Sequence, residues 1–193
     1  LSEIPLDYRS IISTYTGQES KTKEGQKISS VPDELGSNWW RADQFYHRAL
    51  ADGEALKKNT APQNYKEEQN DDLPFNKNFY SMILNMGLMG HFIGDAGQPF
   101  HNTTDYDGYA ANHGGIHAYY EDSSVAFFDA DLVPRIVKKA KSMKTPKWAS
   151  QATLVEKMRM FSDIAVNDVK DIMKLDPVIK PSMIKIEKGM SLK

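Results

Sequence analysis

The chain contains no cysteine. That excludes disulfides and thiolate metal sites, but it does not fix the compartment. No apolar run is long enough to span a bilayer. No block of like charge resembles a basic arm, and the formal net charge is -2. Composition therefore gives no electrostatic argument for a nucleic-acid or membrane partner. His-Glu-x-x-His, the metalloprotease helix motif, does not occur. The chain has no initiator methionine, and Leu1-Ser2-Glu3-Ile4-Pro5 has no signal-peptide character. The expectation is a processed or truncated product.

What is present is one domain's worth of helical sequence. The 193 residues suffice for a single domain with a sizeable core. Residues 6–16 place Leu6, Ile11, Ile12 and Tyr15 on a short amphipathic helix. Residues 17–30 and 58–73 are polar and read as loops. Residues 37–57 set Trp40, Phe45, Ala49 and Leu56 at helical intervals. The strongest pattern covers 75–97, where Phe79, Ile83, Met86, Leu88 and Phe92 recur with a period near 3.6 and apolar residues occur almost all round. That predicts a central, buried helix, ended by Pro99. Residues 100–115 read as loop and 116–130 as helix. Residues 149–175 form a long amphipathic helix stopped before Pro177. Only Val178 to Ile186 invites a strand reading. The fold class expected is all-α.

Four of the five histidines fall into one pattern with carboxylates. His91 and Asp95 are four apart, His101 follows Gln98-Pro99, and His117 and Glu121 repeat the four-residue spacing. Asp33 and His47 add one carboxylate and one imidazole upstream. Residues four apart lie on one helix face, so each pair can present two donors to one cation. Imidazole and carboxylate without thiol suit hydrolytic zinc better than structural zinc. Asp95 lies in a nearly apolar helix, where a carboxylate needs a counter-charge. Gly94 beside it costs helix stability and suggests close packing or room for a ligand. A single His-x3-Asp or His-x3-Glu is more often incidental, and His47 alone reads as a plain surface or core imidazole. Two such pairs on two helices, with His101 after a helix-ending proline, are hard to explain by solvation.

At His91-Phe92-Ile93-Gly94-Asp95-Ala96-Gly97-Gln98-Pro99-Phe100-His101 the chain resembles the superfamily of zinc-dependent phospholipases C and S1/P1-type nucleases. The segment looks like that family's H-x-x-G-D-x-x-Q-P-x-H, followed by a glycine-bearing loop and His117-Ala118-Tyr119-Tyr120-Glu121. The resemblance runs from about residue 31 to 125. It implies an all-α phosphodiesterase with a trinuclear zinc cluster. One zinc would be held by Asp33, His47, His91 and Asp95, and a second by His101, His117 and Glu121. Asp95 would bridge to a third, whose family ligands are an N-terminal tryptophan and a histidine shortly downstream. Neither is present, because Leu1 is not Trp and no histidine precedes His47. The expectation is a missing N-terminal helix, with a two-zinc variant as the alternative.

The resemblance also implies a mechanism, in which zinc activates water for in-line attack on phosphorus. Asp33 serves there as ligand alone, or also orients or deprotonates that water. Glu121 favours the phospholipase branch, since the nucleases usually carry Asp there. Against a choline-specific enzyme, the residue after Asp33 is Glu34 rather than Tyr. Arg48 could pair with a phosphate or be a solvated charge. Tyr106, Tyr109, Tyr119 and Tyr120 could stack a base, cage a quaternary amine or simply pack. His113 reads as a second-shell donor, a substrate contact or an ordinary loop residue. The substrate expected is a phospholipid, with single-stranded nucleic acid as the alternative, and no protein partner is implied. The family's localisation is secreted or periplasmic. Two rivals remain: a non-catalytic metal-binding protein, and a di-metal carboxylate bundle, which would favour Glu-x-x-His pairs at spacing three.

Overall fold

The computed structural model describes residues 4–20, 23–31, 36–124, 126, 129–144 and 146–176. Among these residues there are seven α-helices and no strand, so the all-α class holds. They are α1 (Tyr8–Tyr15), α2 (Asn38–Leu56), α3 (Tyr65–Glu68), α4 (Pro74–Gly97), α5 (Ile116–Ala118), α6 (Leu132–Ser142) and α7 (Leu154–Leu175). Among the described residues, no helix is long and apolar enough to cross a membrane. The chain divides into two compact units, residues 1–97 with 153–161, and residues 98–152 with 162–193.

In the first unit, Asp7 starts α1 by accepting a hydrogen bond from the Ser10 amide at 2.8 Å, the usual device for an orphaned helix N–H. The helix buries Ile11 completely against Ile28 and Val31. Trp40 packs on this cluster, and its indole N–H donates to the Leu6 carbonyl at 2.7 Å. A second cluster joins Trp39 and Ala42 of α2, Ala96 of α4 and Met158 of α7. Between α2 and α4, Phe45 stacks on Phe92 with ring centroids 5.8 Å apart. A polar clasp lies on the same pair of helices: Ser81 and Asn85 both donate to Asp52 Oδ2, at 2.7 and 2.8 Å. α7 opens with a capping box. The Thr153 amide donates to Glu156 Oε2 at 2.7 Å, and the Glu156 amide to Thr153 Oγ1 at 3.3 Å.

Three expectations change. α4 has the expected bounds but not the expected burial. Its buried residues are Asn76, Asn85 and Ala96, while Phe79, Tyr80, Ile83, Leu84 and Met86 are exposed. The described residues cover the face turned to α2, and apolar side chains continue round the uncovered side. The 58–73 loop contains α3, capped by Asn64 and held by buried Asn76, whose amide donates to the carbonyls of Glu67, Glu68 and Asn70. Of the helix expected over 116–130, Ile116–Ala118 is α-helical, Tyr119–Ser124 is a π-helical turn and Ala126 is again α-helical, while Val125, Phe127 and Phe128 lie outside the described residues. The doubtful stretch Val178 to Ile186 lies outside the described residues.

Candidate metal centre

The second unit builds its site from two short turns and the loop between them. Gln98 is buried and precedes the 3-10 turn Pro99–Asn102. Its side-chain oxygen accepts from the Phe100 amide, and its carbonyl accepts from the His101 amide at 3.2 Å and the Asn102 side chain at 2.9 Å. Phe100 is fully buried. Gln98 and Phe100 thus fix the turn that carries His101.

The loop after it is tied by aspartates. Asp105 accepts the Ala110 and Ala111 amides at 3.1 and 3.0 Å. Asp107 Oδ1 accepts the His117 amide at 3.2 Å. Gly108 has φ +75°, and a Cβ there would lie 2.7 Å from the His113 carbonyl oxygen, so only glycine closes the loop this tightly. At Gly114 a Cβ would meet the exposed Tyr109 ring at 2.6 Å, so a larger residue would displace that ring.

These anchors bring three donor atoms together. His101 Nε2 and His117 Nε2 are 3.0 Å apart, His117 Nε2 and Glu121 Oε1 3.1 Å, and His101 Nε2 and Glu121 Oε1 3.5 Å. A tetrahedral zinc with bonds of about 2.0–2.1 Å separates its donors by about 3.3 Å. The triangle is that size, so His101, His117 and Glu121 can hold a metal ion. His117 Nδ1 lies 3.1 Å from the Tyr106 carbonyl oxygen. A carbonyl only accepts, so Nδ1 is the donor in this contact, and in the neutral ring the Nε2 lone pair then faces the triangle. That is the orientation a metal-binding imidazole needs. Two lone-pair atoms 3.1 Å apart, on His117 and Glu121, repel unless a proton or a cation lies between them.

The other expected ligands lie in the first unit. His91 Nε2 and Asp95 Oδ2 are 3.4 Å apart on α4, the pairing that the four-residue spacing predicts. His47 Nε2 is 3.5 Å from Asp43 Oδ1, one turn back on α2. The expected set of His47 with His91 and Asp95 does not gather into a group of three donors. Its sequence neighbour Arg48 lies over the Phe45 ring, 5.6 Å from the centroid. Asp33 lies outside the described residues. A Cβ at Gly94 meets nothing within 4 Å, so open space rather than close packing surrounds it.

Among the candidate substrate contacts, Tyr106 and Tyr109 are exposed, and the Tyr106 ring stands edge-on to His117 at 5.4 Å. Partial burial pushes the Tyr120 phenol above its ordinary pKa, and the Asp168 carboxylate adds to this. His113 makes a structural contact within the second unit. Its Nδ1 is 2.9 Å from Asp176 Oδ2, with both side chains nearly buried, so it ties the loop to the residue after α7. Sequence reasoning missed the roles of Asp105, Asp107 and Asp176. The run Asp105-Tyr106-Asp107-Gly108 was a turn signal for the first two.

No family model matches this chain, and neither a curated protein nor a solved structure matches it.

Proposed function

We propose that this chain is a zinc-dependent phosphodiester hydrolase of phospholipase C-like type. The observation that carries the reading is the triangle of His101, His117 and Glu121, with the His117 tautomer set by Tyr106. Three protein donors of this kind leave a position for water or substrate, as in hydrolytic rather than structural zinc sites. Bound zinc would supply Lewis acidity toward a phosphoryl oxygen and lower the pKa of water toward neutrality.

The chain's own residues do the rest. Two neutral imidazoles and one carboxylate bring a single negative charge against a divalent ion, so the centre stays net positive toward an anionic phosphodiester. The loop tied by Asp105 and Asp107 holds the His117 backbone in place. The exposed Tyr106 ring offers a surface beside His117 for a head group or a base. Asp33 is the residue that the sequence resemblance gives for orienting or deprotonating water. Glu121 in place of aspartate favours a phospholipid, and the resemblance favours a secreted or periplasmic setting.

A single-strand nuclease is the second reading, favoured by the exposed rings of Tyr106 and Tyr109. Parallel hydrolysis of phosphatidylcholine, single-stranded DNA and RNA by zinc-loaded protein separates the two. Lipid turnover is expected. Cleavage of nucleic acid alone would replace the lipid reading, and no turnover with zinc bound would make the centre a non-catalytic metal site.

A further inference from the structure

We propose that α6 is a surface-binding helix that lies on anionic phospholipid membranes. The helix Leu132–Ser142 has the sequence LVPRIVKKAKS and buries no residue. Val133 is 66 % exposed, Ile136 56 %, Val137 43 %, and Met143 at the end of the helix 65 %. At 100° per residue these four fall on one stripe. Arg135, Lys138, Lys139 and Lys141 occupy the remaining arc; Asp131, just before the helix, pairs with Arg135 at 3.7 Å, which leaves the three lysines as the cations facing outward. Lys139 and Lys141 flank the apolar stripe on either side, where their stems can lie along it and their ammonium groups reach outward.

Exposed aliphatic side chains and a lysine-rich arc on the same short helix fit a lipid–water boundary. The apolar stripe enters the acyl region while the cations meet anionic head groups. Nucleic acid would use the basic arc but has no place for Val133, Ile136 and Val137. The three lysines of the polar arc also fit an anionic surface better than a zwitterionic one, because each lysine near such a surface adds attraction. The net charge of -2 conceals this concentration of positive charge on one element. The inference does not depend on the hydrolase reading, since α6 contributes no residue to the metal centre.

The test is vesicle co-sedimentation of the full chain in the presence of chelator, so that neither zinc nor turnover takes part. Vesicles of phosphatidylcholine with phosphatidylserine are compared with pure phosphatidylcholine. Ile136→Asp and the pair Lys138→Glu with Lys139→Glu are compared with the parent. All three positions are exposed, and unchanged helical circular dichroism and melting confirm that the variants fold. The parent is expected to bind anionic vesicles at least tenfold more tightly than pure phosphatidylcholine. Ile136→Asp is expected to lower binding by about tenfold or more, and the lysine reversals by at least fivefold per residue. No binding by the parent overturns the proposal. Loss with the lysine reversals but not with Ile136→Asp also overturns it, because that pattern describes capture by any polyanion.

Discussion

His117 donates its Nδ1–H to the Tyr106 carbonyl, 3.1 Å away, and that one bond turns its Nε2 toward His101 and Glu121. The centre therefore depends on a backbone atom that substitution leaves in place, and its ligands are the points to test. His101→Ala, His117→Ala and Glu121→Gln should each weaken zinc binding by more than about 100-fold, beyond the range for losing an orienting partner. Competition with a chromophoric chelator measures this. Binding unchanged in any of the three would remove that residue from the centre.

His113 and Asp176 should behave as a structural pair, since both are nearly buried and 2.9 Å apart. His113→Ala leaves the Asp176 carboxylate without this partner, at a cost of about 1–3 kcal/mol. Urea denaturation should show that loss. If hydrolysis is found, kcat per folded, zinc-loaded molecule should stay close to the parent's. A selective loss of kcat at full stability would return His113 to the substrate contacts.

Gly97 is held open for the Phe161 ring. A Cβ there would lie 2.7 Å from Phe161 Cζ, well inside contact distance. Gly97→Ala raises helix propensity, yet it should still cost up to about 1 kcal/mol, the low end for overpacking, because the Phe161 ring is 40 % exposed and can shift. Gly94→Ala, with nothing within 4 Å, should be neutral or slightly stabilising. Thermal melts of the two variants should move in opposite directions or differ clearly.

The start of α7 should loosen in acid. The Thr153 amide and then its hydroxyl hold the Glu156 carboxyl below the ordinary glutamate range. A depressed folded pKa stabilises the folded state at pH above the unfolded glutamate value of about 4.3. That contribution is lost as pH falls through the lower folded value. Amide protection factors in the first turn of α7, which correct for the intrinsic slowing of exchange in acid, should fall over this window. Glu156→Gln should flatten the dependence, and an unchanged profile in that variant would assign the acid response to other groups.

The sequence made α4 legible to within one residue, because a long 3.6-residue period ends at a proline. It made the His91–Asp95 and His117–Glu121 pairs legible because spacing alone sets which residues share a turn. α6 was not legible. Pro134 interrupts a short pattern, and only the structure shows it in the first turn, where a missing N–H costs little. The partner of His47 was hidden for another reason. A motif read forward from His47 passes over Asp43, one turn behind it. The orienting group on His117 left no residue-type signal at all, since it is a main-chain carbonyl brought close by the Asp105–Gly108 turn.

The most direct test is the hydrolysis rate of a simple phosphodiester by zinc-loaded protein, its chelator-treated form and the His117→Ala variant. The account predicts turnover that chelation abolishes, that added zinc restores, and that His117→Ala lacks even at saturating zinc. Turnover that survives complete metal removal, or that persists in folded His117→Ala, would contradict it.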